Sequence, residues 1–423
     1  MNLLDEKQWK RRVSKAIKIT KNNIFGDSKM AEISLFDLPK EQVRIKLKPE
    51  FREKIFFELK KKYGSFGKIS KALGLKRGES TRRYRVERSG LPLPLVLKIA
   101  RILKISEKQI QKNTIELKTM KSKESIKNPK LPFRITPEFA LVVGAVLGDG
   151  GIEKNKCRIW YFNREKEQIE SFTKAVQSCF GEVNFARHHS LSGAPCVIFP
   201  KIIGVILKTI GLEDGNKNYK PYQGIPKIFL GSTDKKIKIA LLQRLYDDDG
   251  TVFNHHNSRC VSFTAPITYP KEQTRQEPQI LIDIKKILEE FEIKSKICNY
   301  KKNAKNAEEI TINWEIRITG KENQQKFYEK IGFGLQRKQE KLKQVLDRYV
   351  EGLEFYPRNE ATIHYLQKLK ELRLKNIELN AENISNFCKR NQRHIREILT
   401  SLLKKGLISR EKTGNKFAYS IKN

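Results

Sequence analysis

Helical periodicity dominates the first third of the chain from residue 49 onward. Apolar side chains recur at four-residue spacing in three runs, which are Phe51, Ile55 and Leu59, then Ile69 and Leu73, then Leu95, Ile99 and Leu103. This spacing is typical of one face of an amphipathic helix. We therefore expect an all-α domain over residues 46–110.

An arginine-rich segment, KRGESTRRYRVER, separates the second of these runs from the third. A short helix followed by a basic segment and another helix resembles a helix-turn-helix of the Cro/repressor type, in which one helix braces another in the major groove. This resemblance makes Arg82 and Arg83 candidates for DNA contact. The alternative is a small helical bundle with a solvated basic face. We interpret residues 1–45 as a basic N-terminal arm and the polar, lysine-rich residues 111–132 as a linker.

The central region, residues 133–352, contains two apolar, helix-like runs that end in the same way. Leu141–Gly151 and Leu241–Thr251 each carry an aspartate directly before a glycine near the end of the run. Each run is followed by strand-like segments, an amphipathic helix, further strands and another helix. This repetition predicts an internal duplication with repeats 133–231 and 232–352, and an α+β fold.

The tail, residues 358–423, returns to helical spacing and ends in strand-like residues. Three short amphipathic segments precede two strand-like ones, which meet at a turn around Thr413–Gly414–Asn415. The order resembles a winged-helix domain, whose third helix would carry Arg393 and Arg396 towards DNA. The alternative is a protein-docking domain on the same scaffold.

Charge narrows the class of partner. Lysine and arginine total 86 against 48 acidic residues, a formal net charge of +38. A chain this positive attracts polyanions and resists self-association, so nucleic acid is the expected partner. The alternative is a proteome that is generally rich in lysine. The six cysteines show no CxxC spacing, which argues against a zinc ribbon, a redox pair or a disulfide framework.

The hydropathy pattern argues against a membrane protein. The first residues, MNLLDEKQWKRR, lack the apolar core of a signal peptide. The longest apolar stretch, Phe139–Gly148, is too short to span a bilayer. We therefore expect a soluble, intracellular protein that is cytoplasmic and has no membrane partner.

The repeated acids, Asp149 and Asp249, suggest a metal site. Hard carboxylate oxygens hold Mg²⁺ (or Mn²⁺), and such a metal can polarise a phosphodiester and activate water. The two carboxylates can share metal ions only if their helices pack very closely. Gly144 and Gly148 lie on one helical face and would allow that approach. For a single copy, the alternative is a buried helix with a capping turn.

These residues resemble the two-motif LAGLIDADG homing endonucleases over roughly residues 137–350. The first motif, Val142 to Gly150, has glycine third, a small residue seventh and Asp-Gly at its end. The resemblance implies a duplicated αββαββα saddle over the duplex, with the motif-terminal acids as metal ligands, each serving one strand. It also implies a lysine near the end of each repeat that helps to position water, for which Lys220 and Lys338 are the nearest matches.

The second motif departs from this pattern. Arg244 and Asp248 occupy positions where the family has small residues, and either would hold the helices apart if it pointed into the interface. Being four residues apart, they could instead pair and bend away together. The metal-site prediction comprises Asp149 and Asp249 with their neighbours Gly148 and Asp248. Unequal helix packing would make unequal cutting of the two strands possible.

Strand residues after each motif are expected to face DNA. The candidates are Lys154, Lys156, Arg158, Asn163 and Arg187 in the first repeat and Asn254, Arg259, Lys301 and Arg317 in the second. Alternation along a strand sends about half of such a list to the opposite face.

The sequence thus predicts a monomeric, internally pseudo-dimeric, site-specific endonuclease of double-stranded DNA. The alternatives are a non-cleaving transcriptional regulator, an RNA maturase on the same scaffold, or a nickase that depends mainly on one acid.

Overall fold

The computed structural model describes residues 31–75, 78–86, 90–120, 122–189, 193–255, 258–272, 275–306, 308–349, 356, 360–413 and 416–422. The chain forms two compact units, Met1–Lys343 and Gln344–Asn423. In the part of the chain that is described, no helix combines the length and apolar character needed to cross a bilayer.

The N-terminal region contains the predicted helices and several strands. In chain order the elements are β1 (Glu32–Ile33), β2 (Val43–Leu47), α1 (Pro49–Tyr63), α2 (Phe66–Leu73), α3 (Gly78–Val86), β3 (Leu91–Pro92), α4 (Leu93–Leu103), α5 (Glu107–Lys112), β4 (Thr114–Thr119), β5 (Ser125–Lys127) and β6 (Phe133–Arg134). The prediction of an all-α domain here is therefore wrong. The helices that resemble a helix-turn-helix are accompanied by a sheet.

The described part of the predicted arm and of the predicted linker also belongs to the folded core. Val43 and Ile45 in β2 are buried although residues 31–45 were assigned to an arm, and Leu117 and Ile126 in the assigned linker are fully buried. β4 pairs with β2 and β5, so the lysine-rich stretch completes a sheet. The physical reason is alternation: lysines take the solvent face of a strand while apolar residues between them fill the core.

Two successive repeats of the same topology make up the central region. The first contains α6 (Pro137–Leu147), β7 (Gly150–Ile152), β8 (Ile159–Phe162), α7 (Lys166–Phe180), β9 (Glu182–Val183), β10 (Ala186–His189), β11 (Pro195–Phe199) and α8 (Lys201–Thr209). The second contains α9 (Lys227–Leu230), α10 (Lys235–Asp249), β12 (Gly250–His255), β13 (Ser258–Pro270), α11 (Gln279–Glu290), β14 (Lys296–Ala304), β15 (Glu309–Thr319), α12 (Lys321–Lys330) and α13 (Gln336–Asp347).

Each repeat builds one antiparallel four-stranded sheet with the same strand order. That order is β10-β11-β8-β7 in the first repeat and β14-β15-β13-β12 in the second. The predicted α+β fold with a duplicated αββαββα order is confirmed. β9 is an addition of the first repeat and pairs with β5 of the N-terminal sheet, which joins that sheet to the central region.

The C-terminal unit has the predicted order of three helices followed by two strands. These are α14 (Ala361–Leu374), α15 (Ala381–Phe387), α16 (Gln392–Lys404), β16 (Ile408–Thr413) and β17 (Lys416–Ile421). Tyr365, Leu369, Ile395 and Leu399 are among the side chains that form its apolar core. The predicted turn lies outside the described residues at positions 414 and 415.

Candidate active site between the paired motif helices

Helices α6 and α10 begin at capping residues and run to the two acids. The Thr136 side chain accepts a hydrogen bond from the Phe139 N–H, and the Asp234 side chain accepts one from the Lys236 N–H. Such caps satisfy backbone donors that a helix leaves open at its first turn. α6 ends just before Gly148 and Asp149, whereas α10 continues through Asp249.

The two helices approach closely through the glycines of the first motif. A Cβ atom at Gly144 would lie 2.9 Å from the Arg244 Cβ and 3.0 Å from a backbone oxygen of α10. A Cβ atom at Gly148 would lie 2.5 Å from an oxygen of the Asp248 carboxylate. Arg244 and Asp248 therefore point into the interface, and the glycines opposite leave room for them. The large residues of one motif complement the small residues of the other.

A buried polar cluster forms around Arg244 and Asp248. The Arg244 Nε lies 3.5 Å from the Asp248 Oδ2, and both side chains are almost completely buried. The guanidinium also donates to Gln168 of α7 and lies 4.4 Å from the ring centre of Tyr161. The Tyr161 hydroxyl donates to the Asp248 Oδ1 at 2.8 Å. The predicted pairing of Arg244 with Asp248 exists, but inside the interface.

Asp248 is occupied by these contacts and by the backbone of the first motif. The Asp149 N–H donates to its Oδ2 at 3.2 Å, so both carboxylate oxygens already have partners. Burial raises the pKa of Asp248 to about 7, although the Arg244 guanidinium opposes that shift. Asp248, assigned above to the metal site, is therefore placed as a packing residue that links the motifs. A metal ion would have to displace its present partners.

Asp149 lies close enough to Asp249 for its charge to affect the ionisation of Asp249. Burial raises the pKa of Asp249 to about 6, and the charge of Asp149 adds to the shift. Burial also raises the pKa of Asp149, and nearby cations, Lys217 foremost, oppose this. Asp149 accepts a hydrogen bond from the Asn163 Nδ2 at 3.0 Å. Among the described residues, none donates a hydrogen bond to the Asp249 carboxylate.

One lysine from the end of each repeat reaches the carbonyl end of the motif helix. The Lys338 ammonium donates to the carbonyl oxygens of Asp247 and Gly250 at 2.6 Å each. The Lys217 ammonium donates to the carbonyl oxygens of Leu147, at 3.0 Å, and Gly148. Burial lowers the pKa of both lysines, while the neighbouring aspartates oppose that shift. The positions correspond between the repeats.

Lys220, the predicted counterpart of Lys338, lies elsewhere. Its ammonium donates to the carbonyl oxygen of Asp214 and lies 3.9 Å from a carboxylate oxygen of Glu213. Sequence reasoning missed Lys217, which belongs to the same short segment, GNKNYK. The sequence correctly indicated a lysine near the end of the repeat. The conformation of the loop, however, decides whether Lys217 or Lys220 points towards the motif helices.

Asp247, the remaining acid of the second motif, has a structural contact. Its Oδ1 accepts a hydrogen bond from the Leu335 N–H at 3.0 Å, which fixes the start of the segment that leads into α13. Burial raises its pKa, and this hydrogen bond opposes the shift. One oxygen of the Asp247 carboxylate is therefore occupied by the backbone of that segment.

The site offers few protein ligands for a metal. In the described part of the chain, no group of three or more histidine, cysteine, aspartate or glutamate side chains is placed to hold an ion. Asp149 and Asp249 remain as carboxylates with oxygens available. That donor set suits Mg²⁺, which commonly binds one or two carboxylates and completes its shell with water and substrate phosphate oxygens.

Of the five predicted DNA-facing residues of the first repeat, three lie in one loop, one lies on an edge strand and one is buried. Lys154, Lys156 and Arg158 lie between β7 and β8, where Lys156 and Arg158 each contact Glu153 at 2.8 Å. Arg187 is exposed on the edge strand β10. Asn163 is only 9% exposed and contacts Asp149, so its side chain faces the motif helices and not the outward face of the sheet. Asn163 directly follows β8, and the register of that strand directs the Asn163 side chain towards the motif helices.

In the second repeat the strand pleat separates three of the four candidates. Arg317 is partly exposed on the face opposite the helices and pairs with Glu315. Asn254 and Arg259 are cross-strand partners in line with buried valines, so they belong to the face that packs on the helices. For Lys301 only the backbone pairing with Asn313 is described. The list predicted from sequence mixed the two faces.

The candidates in the flanking regions are exposed. Arg82 and Arg83 lie on α3, and the Arg82 guanidinium is 5.8 Å from the ring centre of Phe66. Arg393 and Arg396 lie on α16, where they contact Glu397 and Gln392 respectively. Both pairs are accessible to a polyanion.

Comparison with protein families agrees with this geometry. Residues 236–332, from the start of α10 to just beyond α12, match the family model described as a LAGLIDADG-like domain. This part of the chain is therefore similar to a LAGLIDADG-like domain. The match covers the second of the two repeats, although the first repeat carries the more regular motif. No curated protein matches the chain.

Several solved structures resemble parts of the chain. The full-length DUF199/WhiA protein from Thermatoga maritima has 13% identity over 64% of this chain and 92% of that chain, with a TM-score of 0.32. Mesophilic variants of the homing endonuclease I-DmoI have 11% identity over 47% of this chain and 90% of that chain, with a TM-score of 0.30. I-DmoI in complex with DNA and Mn has 12% identity, coverages of 47% and 97%, and a TM-score of 0.31. Likeness this distant carries no argument about function.

Proposed function

We propose that the protein is a metal-dependent endonuclease that hydrolyses phosphodiester bonds of double-stranded DNA at specific sites. One observation supports this proposal most directly. Asp149 and Asp249 lie near each other at the ends of two helices, which approach closely because glycines of the first helix face the second. Each acid comes from one of two repeats with the same topology. A site with one carboxylate per repeat matches the approximate twofold symmetry of a DNA duplex.

Asp149 and Asp249 would hold divalent metal, Mg²⁺ or Mn²⁺. When bound, such an ion supplies Lewis-acid polarisation of the phosphate and lowers the pKa of water. The carboxylates must be ionised to bind it, and Lys217 favours that state because its charge opposes the raised pKa of both acids. Gly148 contributes backbone close approach rather than a ligand side chain.

Lys217 and Lys338 would orient the reacting water and stabilise charge on phosphate. Their ammonium groups already satisfy the carbonyl ends of α6 and α10, so their positions are fixed before substrate binds. A pre-organised cation stabilises developing negative charge without a reorganisation cost. Lys220 has no place in this proposal because it contacts Asp214 instead.

The flanking regions would extend the DNA contact. Arg82 and Arg83 on α3, in the region that resembles a helix-turn-helix, and Arg393 and Arg396 on α16, in the winged-helix-like unit, present exposed cations. With a net charge of +38, their contribution would be mainly to phosphate binding. One chain supplies both acids, so we propose that it acts as a monomer.

A second candidate function is that of a DNA-binding regulator that does not cleave. It is favoured by the Arg244–Asp248 pair, which fills positions that are glycine in the first motif.

Cleavage of DNA from the gene's own flanking locus distinguishes the two candidates. The wild type is expected to cut or nick this DNA with Mg²⁺ and to bind it uncut with Ca²⁺. Asp149→Asn and Asp249→Asn should each abolish cutting of at least one strand and retain binding. Specific binding without any cut or nick in Mg²⁺ or Mn²⁺ would establish the regulator instead, and cutting by the Asp149→Asn/Asp249→Asn double variant would refute the metal assignment.

A further inference from the structure

Asn163 lies beside only one of the two acids. Its Nδ2 is 3.0 Å from the Asp149 Oδ2, 2.9 Å from the Tyr161 hydroxyl and 3.5 Å from the Asp248 Oδ1. Its own Oδ1 accepts a hydrogen bond from the Glu165 N–H at 3.0 Å, which orients the amide group. Since the residue is only 9% exposed, the donor is held towards Asp149 by its surroundings.

The strand register identifies the equivalent positions in the second repeat. Gly150, which follows the first acid, pairs with Tyr161, and Gly250, which follows the second acid, pairs with Phe263. Asn163 therefore corresponds to Ala265. Neither Phe263 nor Ala265 has a side chain that can donate a hydrogen bond, so the second repeat offers no counterpart to this contact.

The motif helices show the same difference between the two repeats. Gly148 of the first motif corresponds to Asp248 of the second, and Asp248 accepts hydrogen bonds from the Tyr161 hydroxyl and the Asp149 N–H. The polar groups of this cluster therefore converge on Asp149 from its own sheet and from the opposite helix. Asp249 has no equivalent of either contact, because its own sheet offers Ala265 where Asn163 lies and the opposite helix offers Gly148 where Asp248 lies.

We propose that Asn163 is a positioning residue for Asp149, and that the two strands of the DNA are consequently cut at unequal rates. The inference rests on the proposed endonuclease function. A carboxylate held by a fixed donor loses less conformational freedom when it binds a metal, so the half-site of Asp149 is pre-organised. The strand served by Asp149 is cut first, and the strand served by Asp249 follows.

Strand-specific cleavage tests the proposal. DNA from the flanking locus is labelled with a different fluorophore on each strand, and both cleavage rates are read from one denaturing gel. Asp149→Asn first identifies the strand that Asp149 serves. Asn163→Ala and the isosteric Asn163→Asp should slow that strand by about tenfold or more and leave the other within about twofold, since outer ligand-supporting contacts typically contribute 10–100-fold.

A matched control removes an asparagine from the outward face of the other sheet. Asn313→Ala is expected to change both rates by the same factor, because a lost DNA contact weakens binding of the whole duplex. A role of Asn163 in stability alone would also lower both rates together. Equal wild-type rates, or equal slowing by Asn163→Ala, would overturn the inference.

Failure of the endonuclease proposal itself has a different signature. If the wild type cuts neither strand, Mn²⁺ binding followed by electron paramagnetic resonance still tests the positioning role. Adding Asn163→Ala to Asp249→Asn, which retains Asp149, should weaken Mn²⁺ binding by about tenfold, and adding it to Asp149→Asn should have no effect. An equal effect in both backgrounds would refute the role of Asn163.

Discussion

Gly144 allows the closest approach of the two motif helices. Replacement by alanine would place a Cβ 3.0 Å from the Leu241 carbonyl oxygen, a backbone atom that cannot rotate away. We expect Gly144→Ala to lower the free energy of unfolding by about 1–3 kcal/mol, the usual cost of overpacking. Chemical denaturation measures it. Cleavage should fall as well, because the two acids would be forced apart.

Gly67 provides the control for this substitution. It lies on α2, where an added Cβ would meet only the Ser65 hydroxyl at 3.9 Å. Alanine there is expected to be neutral or stabilising by up to about 1 kcal/mol, because it has the higher helix propensity. A Gly144→Ala variant as stable as Gly67→Ala would show that the helices can separate at no cost.

The raised pKa of Asp249 makes stability depend on pH. Its pKa rises from 3.8 in the unfolded chain to about 6 in the fold. The folded state therefore favours the protonated form, and the stability associated with it is lost as pH rises from about 4 to above 6. Asp249→Asn should stabilise the metal-free protein by about 1–2 kcal/mol at pH 8. This is less than the full pKa shift implies, because water reaches the partly buried carboxylate. The stabilisation should vanish below pH 4, where the carboxyl group is protonated in both states.

Glu322 is the control for this pH dependence. It is exposed, and its ion pair with Lys326 lowers its pKa, which is the opposite direction. Glu322→Gln should therefore give no gain at pH 8. Thermal unfolding in chelator at pH 4 and pH 8 compares the variants. A gain from Asp249→Asn that is equal at both pH values would rule out charge burial as its cause.

At the scale of elements, α6 and α10 are joined by a buried ion pair where small residues would be expected. Removing the carboxylate leaves Arg244 charged and buried, so Asp248→Ala should cost about 3–5 kcal/mol. Arg244→Ala/Asp248→Ala should cost less than the sum of the two single changes, with a coupling of about 0.5–3 kcal/mol. A double-mutant cycle in urea measures the coupling.

The exposed pair Glu322–Lys326 gives the comparison cycle. It lies at the same i, i+4 spacing, with 2.8 Å between its charged atoms, but water screens it. Its coupling should be clearly smaller than that of Arg244 with Asp248. Strict additivity at the buried pair would mean that Arg244 is held by Gln168 and Tyr161 alone.

The sequence predicts these elements wherever one periodicity is strong. The acid-bearing helices, the repeated topology and the three helices of the tail followed from apolar spacing. Strands β4 and β5 did not, because lysines on the solvent face concealed the apolar positions between them. The lysine content suggested a linker, but burial of Leu117 and Ile126 decides the structure.

Within the site, the sequence predicted Asp149, Asp249 and Lys338 but not how their neighbours are arranged. Asn163 was expected to face DNA because it was counted as a strand residue of the saddle. Which face a strand residue takes depends on register, and a shift of one residue exchanges the faces. Lys217 was missed because a loop, which has no periodicity, decides between it and Lys220.

At the scale of the whole molecule, the two central sheets differ in size and surface. β13 and β15 have 13 and 11 residues, whereas β8 and β11 have 4 and 5. On the first sheet Trp160 and Phe162 stack with ring centres 5.5 Å apart on the face away from the helices. The second sheet presents the partly exposed Arg317 there, paired with the buried Glu315. Hydrogen-bonding readout of base edges is therefore expected mainly from the second repeat.

The flanking units are predicted to add affinity through phosphate contacts. Each such contact contributes about 0.9 to the slope of log affinity against log salt concentration. If Arg393 and Arg396 each contact a phosphate, Arg393→Ala/Arg396→Ala should reduce that slope by about 2 and weaken binding to all sequences alike. Fluorescence anisotropy with labelled duplex over a range of KCl concentrations measures the slope.

Lys370→Ala/Arg373→Ala is the matched control, because it removes the same charge from exposed positions on α14 of the same unit. A diffuse electrostatic attraction to DNA would make the two double variants equivalent. A winged-helix contact would confine the change in slope to α16, since that helix would lie against the duplex. Equal changes would therefore refute the assignment of α16 as the DNA-contacting helix, and no change in either variant would favour a protein-docking role for the unit.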